Sequence, residues 1–156
     1  MTKKIIILLS WVTVLATMII IFSFSQENME DSANTSSSVT EEILEIVLPK
    51  EEITQQKIHE FHPTVRTMAH FGIFMLLGFA LSNAFIVTTK LNFFFNYILA
   101  FLSSILYAIL DEYHQKFTGR APEFTDVLID SLGALIGILL FALFFHTFTF
   151  IIKRKK

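Results

Sequence analysis

Residues 68–110 read MAHFGIFMLLGFALSNAFIVTTKLNFFFNYILAFLSSILYAIL, and this stretch decides the fold. It contains two apolar blocks, 68–88 and 91–110, with only Thr89 and Lys90 between them. About 20 apolar residues, each rising about 1.5 Å along a helix, cross a hydrocarbon layer of roughly 30 Å. The two blocks therefore predict a pair of antiparallel membrane-spanning helices joined by a tight turn.

Two further apolar blocks flank this hairpin, at residues 5–24 and 127–152. The first block follows Lys3 and Lys4, so a secretory signal peptide competes with a membrane span as its interpretation. The block is longer than the usual signal core of about 7–15 residues, and no small-x-small cleavage site follows it. We therefore favour an uncleaved span. The sequence predicts an all-α integral membrane four-helix bundle that forms one domain over residues 1–156.

Composition narrows the classes of function. The chain has 156 residues, of which 53% are hydrophobic and 17% are charged, and it contains no cysteine. Disulfides, thiolate metal sites, iron–sulfur clusters and cysteine nucleophiles are therefore excluded. Neither a glycine-rich phosphate loop nor a basic aromatic patch occurs, so we expect no nucleic-acid partner.

The positive charges near the span ends predict the orientation. Lys3, Lys4, Lys90 and the basic tail 153–156 fall on one side of the four predicted spans. Short loops rich in lysine and arginine stay in the cytoplasm. We therefore expect both termini inside, in a multi-pass protein of the cell membrane. The segments 26–65 and 111–126 should then face outward.

The outer segment 26–65 is polar and acidic. Residues 34–38 suggest a flexible stretch, and Ser38 and Glu41 have the spacing of a capping box. A short amphipathic helix should follow and end before Pro49, with an apolar face of Ile43, Leu44, Val47 and Leu48. This helix is either a lid that grips a ligand or a plain interfacial helix.

Polar residues gather at the outer ends of all four predicted spans, whereas the inner ends show little beyond the orienting lysines. The candidate site residues are Ser25, Gln26, Arg66, His70, Asp111, Glu112, His114, Gln115, Arg120, Asp126 and Asp130. Helical spacing places Arg66 and His70 on one face of the second span. It likewise places Asp111, His114 and Gln115 on one face of the third.

The fourth span has a polar stripe of its own. Asp126 and Asp130 are four residues apart, and Gly133 and Gly137 continue the same stripe. Small residues at this spacing let a neighbouring helix backbone approach closely. A carboxylate within a span is costly in contact with lipid, so Asp130 should be buried and paired with Arg66, His70 or Arg120.

These motifs resemble those of the VanZ-like family. The resemblance lies in Arg66-x-x-x-His70-Phe71 and in Ser23-Phe24-Ser25-Gln26 at the exit of the first span. It continues in a long motif formed by Asp111-Glu112-x-His114-Gln115, Phe117, Gly119-Arg120, Asp126, Asp130 and Gly133-Ala134-x-x-Gly137. Gly72-Ile73-Phe74 departs from the family, which more often has a polar residue and a tyrosine there.

The resemblance implies a small bacterial membrane protein with four helices. The founding member of the family is linked to resistance against the lipoglycopeptide antibiotic teicoplanin. The resemblance thus implies a fold and a cell-envelope context, rather than a particular reaction.

Three interpretations of the polar cluster remain open. The outward site binds an anionic envelope lipid, a lipid-linked cell-wall precursor or a lipoglycopeptide, with Arg120 on the anion and Arg66 neutralising Asp111 or Asp130. Alternatively, the protein is an enzyme that acts on an envelope lipid or glycan. Its acid/base or metal-ligand candidates are His70, Asp111, Glu112, His114, Asp126 and Asp130. In the third interpretation, the polar residues only hold the helices together. No cofactor is predicted, although the carboxylates would suffice for a divalent metal.

Overall fold

The computed structural model describes residues 2–26, 29–118 and 123–154. This part of the chain forms five α-helices, and no strand occurs in it. The helices are α1 (Lys3–Gln26), α2 (Met29–Val47), α3 (Gln55–Thr88), α4 (Phe93–Gln115) and α5 (Phe124–Arg154), with 3₁₀ turns at Lys50–Glu52 and Lys116–Thr118. The all-α prediction is confirmed. By length and composition, α1, α3, α4 and α5 can each cross a membrane.

The helices α3 and α5 form the most extensive interface of the bundle, and glycine makes it close. A Cβ atom added at Gly133 or Gly137 would collide with the backbone carbonyl of Phe71 or Met75, respectively. A Cβ atom at Gly78 of α3 would collide with the backbone carbonyl of Ala134. The small-residue strip predicted on the fourth span therefore packs against α3. The matching contribution of Gly78 was not predicted.

Side-chain hydrogen bonds connect the helices at the end of the bundle where α1 and α4 begin and α3 and α5 finish. We call this the neutral end, because the side chains that connect the helices there are uncharged. It is held by Trp11 Nε1 to Thr88 Oγ1 (3.0 Å), Asn83 Nδ2 to Ser10 Oγ (2.9 Å) and Thr89 Oγ1 to Asn96 Oδ1 (2.6 Å). We expected few polar residues at this end apart from the lysines, and these hydrogen bonds contradict that expectation. The opposite end, where α1 and α4 finish, is called the acidic end below.

The helix α2 differs from its prediction. It begins at Met29, so residues 34–38 are helical rather than flexible. Ser38 lies inside the helix and donates to Asn34 O at 3.1 Å, so it does not cap the helix start. The helix does end before Pro49. Its buried positions are Ser36, Thr40 and Leu44, spaced four apart, whereas Val39, Ile43, Ile46 and Val47 are exposed.

The helix α3 also begins earlier than the span predicted from Met68. It starts at Gln55 after the N-cap Thr54, whose side chain accepts from Lys57 N. Pro63 lies inside it, and the helix continues past this residue. The extra turns lie beside α2 and position Arg66 and His70 at the acidic end.

A buried polar cluster at one end of the bundle

Asp111 of α4 is the centre of the acidic end and is only 4% exposed. Ser25 Oγ, at the end of α1, donates to Asp111 Oδ1 at 2.6 Å. Gln115, one turn further along α4, donates from Nε2 to Asp111 Oδ2 at 3.1 Å. Both carboxylate oxygens therefore have a fixed donor, which sets the orientation of the carboxyl group.

Arg66 reaches this carboxylate only through an amide. Its Nη2 donates to Gln115 Oε1 at 3.3 Å, and the amide nitrogen of Gln115 donates in turn to Asp111. Among the described residues, no ion pair joins Arg66 to Asp111 or Asp130. The prediction that Arg66 neutralises Asp111 or Asp130 therefore has no ion pair behind it in this part of the chain. Gln115 connects the two charges because its amide offers both a donor and an acceptor.

His70 of α3 faces Asp130 of α5. Nδ1 of His70 lies 3.9 Å from Asp130 Oδ2, and the two side chains are 15% and 5% exposed. This separation is too long for a hydrogen bond, so the contact is electrostatic at most. Of the three partners considered for Asp130, the described residues provide His70.

Three helices thus contribute one ligand-type side chain each to the same small volume. One nitrogen of His70 and one carboxylate oxygen each of Asp111 and Asp130 lie within 4.8 Å of one another. The glycine contacts fix α3 against α5 here, and α4 packs against both of these helices. The cluster is therefore a product of the bundle's packing.

Two cavities adjoin this cluster. A polar cavity of about 20 Å³ is lined by Arg66, Thr67, His70, Gln115, Asp126, Ile129 and Asp130. A cavity that holds one water needs about 10–15 Å³, so this one suits a single water or ion. A second, apolar cavity of about 150 Å³ lies between α1, α2 and α3. Arg66 and His70 line both cavities.

Two of the candidate residues on α4 point away from the cluster. Glu112 is buried, but its Oε1 accepts from the backbone N–H of Glu123 at 2.6 Å, just before α5 begins. A carboxylate at a helix N-terminus is favoured by the helix dipole. His114 turns towards α1, where Gln26 Nε2 lies 3.2 Å from its Nε2. The face shared by Asp111 and Gln115 therefore excludes these two residues.

Two loop-side candidates remain. Asp126 is half-buried and lines the polar cavity. Arg120 lies outside the described residues, so its predicted contact with a bound anion stays a prediction.

The structure also brings in residues that the sequence motifs did not indicate. The walls of the apolar cavity include Ile21, Thr35, Ser36, Val39, Val65 and Ile73. Of those on α2, Ser36 could have been found from the Ser36-Thr40-Leu44 spacing, which lies on the buried side of that helix. Tyr107 was missed as well. Its hydroxyl donates to Met18 O at 2.7 Å and ties α4 to α1 below the cluster.

The fold and the cluster define a class of small helical protein. It has four helices suited to crossing a membrane and a buried polar cluster where two of them end and two begin. The chain belongs to the VanZ/LLP1 family, whose family model matches residues 10–145. This range includes every candidate residue from Ser25 to Asp130, so the resemblance is confirmed. Neither a curated protein nor a solved structure matches the chain at a significant level.

Proposed function

We propose that this protein binds an anionic lipid of the cell envelope at the acidic end of the bundle. The headgroup lies against Arg66 and His70, and part of an acyl chain occupies the apolar cavity. The observation that carries the proposal is that these two residues line both the apolar and the polar cavity. A binding site for an anionic amphiphile needs this combination of an apolar wall and a cation at its edge.

The apolar cavity supports the acyl chain. It lies between α1, α2 and α3 and has room for a short stretch of hydrocarbon, about 150 Å³. Its walls come from side chains such as Ile21, Val65 and Ile73. Largely apolar concave sites with a few oriented polar groups are typical of ligand pockets.

The exposed side of α2 supports a membrane surface beside this cavity. Val39, Ile43, Ile46 and Val47 are all exposed, and Ile46 and Val47 are 85% and 70% exposed. An apolar face on an otherwise polar helix suits the boundary between headgroups and acyl chains. In the proposed arrangement α2 lies at that boundary and covers the lipid's entry to the cavity.

We further propose that the acidic end faces outward in the cell membrane, with both termini in the cytoplasm. Lys3, Lys4 and Lys90 support this orientation under the positive-inside rule. The test uses Glu45→Cys and Lys90→Cys, since the chain has no cysteine of its own. A membrane-impermeant thiol reagent should label position 45, but not position 90, in intact cells. Labelling at position 90 would reverse the orientation.

Lipid retention tests the binding proposal. Purified protein is incubated with mixed micelles that contain phosphatidylglycerol and phosphatidylcholine, and bound lipid is measured by native mass spectrometry. The parent should retain phosphatidylglycerol preferentially. Arg66→Gln should lose that preference because it removes the cation beside the cavity. Ile73→Trp should lower retention of both lipids because it fills the apolar space.

The matched control is Lys57→Gln, which makes the same charge change on the same helix. Lys57 pairs with Glu52 at 3.2 Å and lines neither cavity. The Lys57→Gln variant should retain as much phosphatidylglycerol as the parent protein. If Arg66→Gln and Lys57→Gln lost lipid equally, net charge alone would explain the effect, and the proposed site would be refuted. A parallel incubation with a polyprenyl diphosphate or a lipoglycopeptide separates these alternative anionic amphiphiles from an ordinary phospholipid.

The pair formed by half-buried His70 and buried Asp130 favours a second candidate function, an enzyme acting on an envelope lipid or glycan. A histidine next to a buried carboxylate can accept and return a proton during hydrolysis. Turnover of a radiolabelled envelope lipid, abolished by His70→Gln, would support the enzyme. Stable retention of the unchanged lipid supports binding alone.

A further inference from the structure

We infer that His70, Asp111 and Asp130 form a binding site for one divalent first-row transition-metal ion, of which Zn²⁺ is the best probe. This inference goes beyond lipid binding, since the ion would bind to the delipidated protein as well. Three ligand atoms, one from each side chain, already lie within 4.8 Å of one another. Only small side-chain movements are needed to bring them around one ion.

Asp130 provides the second, independent observation. Its side chain is 5% exposed, and it makes no hydrogen bond to any described residue. It lines the polar cavity of about 20 Å³, which suits a single ion. A carboxyl group with so little exposure and no hydrogen-bond donor is costly, because burial removes most of its contact with water. An ion in this cavity would take the place of the missing hydrogen-bond donor.

The surroundings of Asp111 match those of a metal-ligating carboxylate. Ser25 Oγ and Gln115 Nε2 each donate to one of its oxygens, at 2.6 and 3.1 Å. Each oxygen keeps a further lone pair for a metal ion. Hydrogen bonds of this kind fix the orientation of ligating side chains and are part of most metal sites. Ser25 and Gln115 are therefore positioning residues.

Charge also favours a cation here. The carboxylates of Asp111, Glu112 and Asp130 are all buried at this end of the bundle. Within the described ranges, none of them pairs with a lysine or arginine. A divalent ion would offset this negative charge and reduce the repulsion that an anionic headgroup would otherwise meet.

The donor set indicates the kind of ion. One imidazole nitrogen with two carboxylate oxygens suits Zn²⁺ or Mn²⁺, whereas Mg²⁺ and Ca²⁺ prefer oxygen alone. Three protein ligands leave a position open, as in zinc sites that bind a substrate or water. A headgroup oxygen or a water would fill that position.

The test is metal content after equilibration of delipidated protein with Zn²⁺ and removal of free ion, read by inductively coupled plasma mass spectrometry. All variants are made on a His59→Gln, His62→Gln background, because these two rings lie 5.3 Å apart and could take up zinc by themselves. The background protein should retain about one Zn²⁺ per chain. Asp130→Asn and His70→Gln should retain almost none. Ser25→Ala should weaken binding about 10- to 100-fold, the usual effect of removing an orienting partner.

The control is His146→Gln, which removes a histidine from the neutral end, where Tyr97 Oη lies 3.2 Å from its ring. It should keep the full zinc content. Folding is checked separately by thermal unfolding. Zn²⁺ should raise the midpoint temperature of the background protein but not that of Asp130→Asn. Depletion of the free Mn²⁺ paramagnetic resonance signal gives a second readout. Retained metal in folded Asp130→Asn or His70→Gln, or no metal in the background protein, would overturn the inference.

Discussion

At the neutral end of the bundle, the buried amide of Asn96 is satisfied twice. Its oxygen accepts from Thr89 and its nitrogen donates to Leu91 O. At the acidic end, Asp111 has two donors, whereas Asp130 has no hydrogen bond to any described residue. The neutral end thus uses uncharged groups that satisfy one another and hold the helices together. The acidic end keeps buried carboxyl groups, and ionisable groups inside a membrane protein are usually functional.

The largest expected effect comes from breaking the contact that both ends depend on. Gly137→Ala should destabilise the protein by about 3 kcal/mol, at the upper end of the usual overpacking cost. The added methyl group would meet the backbone of Met75, which cannot rotate away as a side chain can. The two ends should loosen together as α3 and α5 separate. Thermal unfolding in detergent measures the change.

Gly72→Ala is the matched control for this substitution. Gly72 also lies in α3, but a Cβ atom there meets nothing within 4 Å. It should unfold at or above the parent's midpoint, because alanine favours helix. If the substitutions at positions 72 and 137 lowered the unfolding midpoint equally, the glycine contact would not be what holds the bundle together.

A second prediction exchanges the chemistry of the two ends. Asn96→Asp should cost about 3 kcal/mol, because a buried carboxylate would face the carbonyl of Leu91 without a cation. The reverse change, Asp111→Asn, should cost about 1 kcal/mol, since the Ser25 hydrogen bond can be kept. Unfolding midpoints of the two variants in the same detergent provide the comparison. A larger loss for Asp111→Asn would show that the acidic end is the one that holds the helices.

A smaller effect is expected from a single hydrogen bond at the neutral end. Trp11→Phe removes the bond to Thr88 but keeps an aromatic ring against Phe85, whose centroid lies 5.6 Å from that of Trp11. The cost should be about 0.6 kcal/mol, the average for a hydrogen bond between membrane helices. Chemical unfolding resolves a difference of this size. If Trp11→Phe lowered the free energy of unfolding as much as Asn96→Asp, Trp11 would provide most of the stability of this end.

Much of the fold could be predicted from the sequence because hydropathy and helix spacing are local signals. Apolar blocks indicated four long helices, and the stripe ending in Gly133 and Gly137 indicated a close helix contact. The partner of that contact was not predictable, since it depends on which helices become neighbours. The helix α2 was underestimated because Asn34 and the serines after it favour turns in isolation. Packing of Thr40 and Leu44 against the bundle overrides that preference.

The candidate site was predictable as a group of residues but not as a set of contacts. Spacing placed Asp111 and Gln115 on one face, and their hydrogen bond follows from it. His114 was placed on the same face, but its ring turns towards Gln26 of α1 instead. The polar residues of the neutral end carry no charge, so charge patterns did not reveal them. Asn83 and Asn96, lying within apolar blocks, were the signal that could have done so.

The most direct test of the account compares stability and ligand retention in Asp130→Asn. We propose that the carboxyl group of Asp130 binds a ligand and does not support the fold. In metal-free, delipidated protein, Asp130→Asn should therefore unfold at or above the parent's midpoint, because the amide that replaces this buried carboxyl group cannot become charged. The same variant should retain neither zinc nor a preference for phosphatidylglycerol. A midpoint that falls as far as that of Asn96→Asp, with ligand retention unchanged, would contradict the account and make the acidic end a packing device.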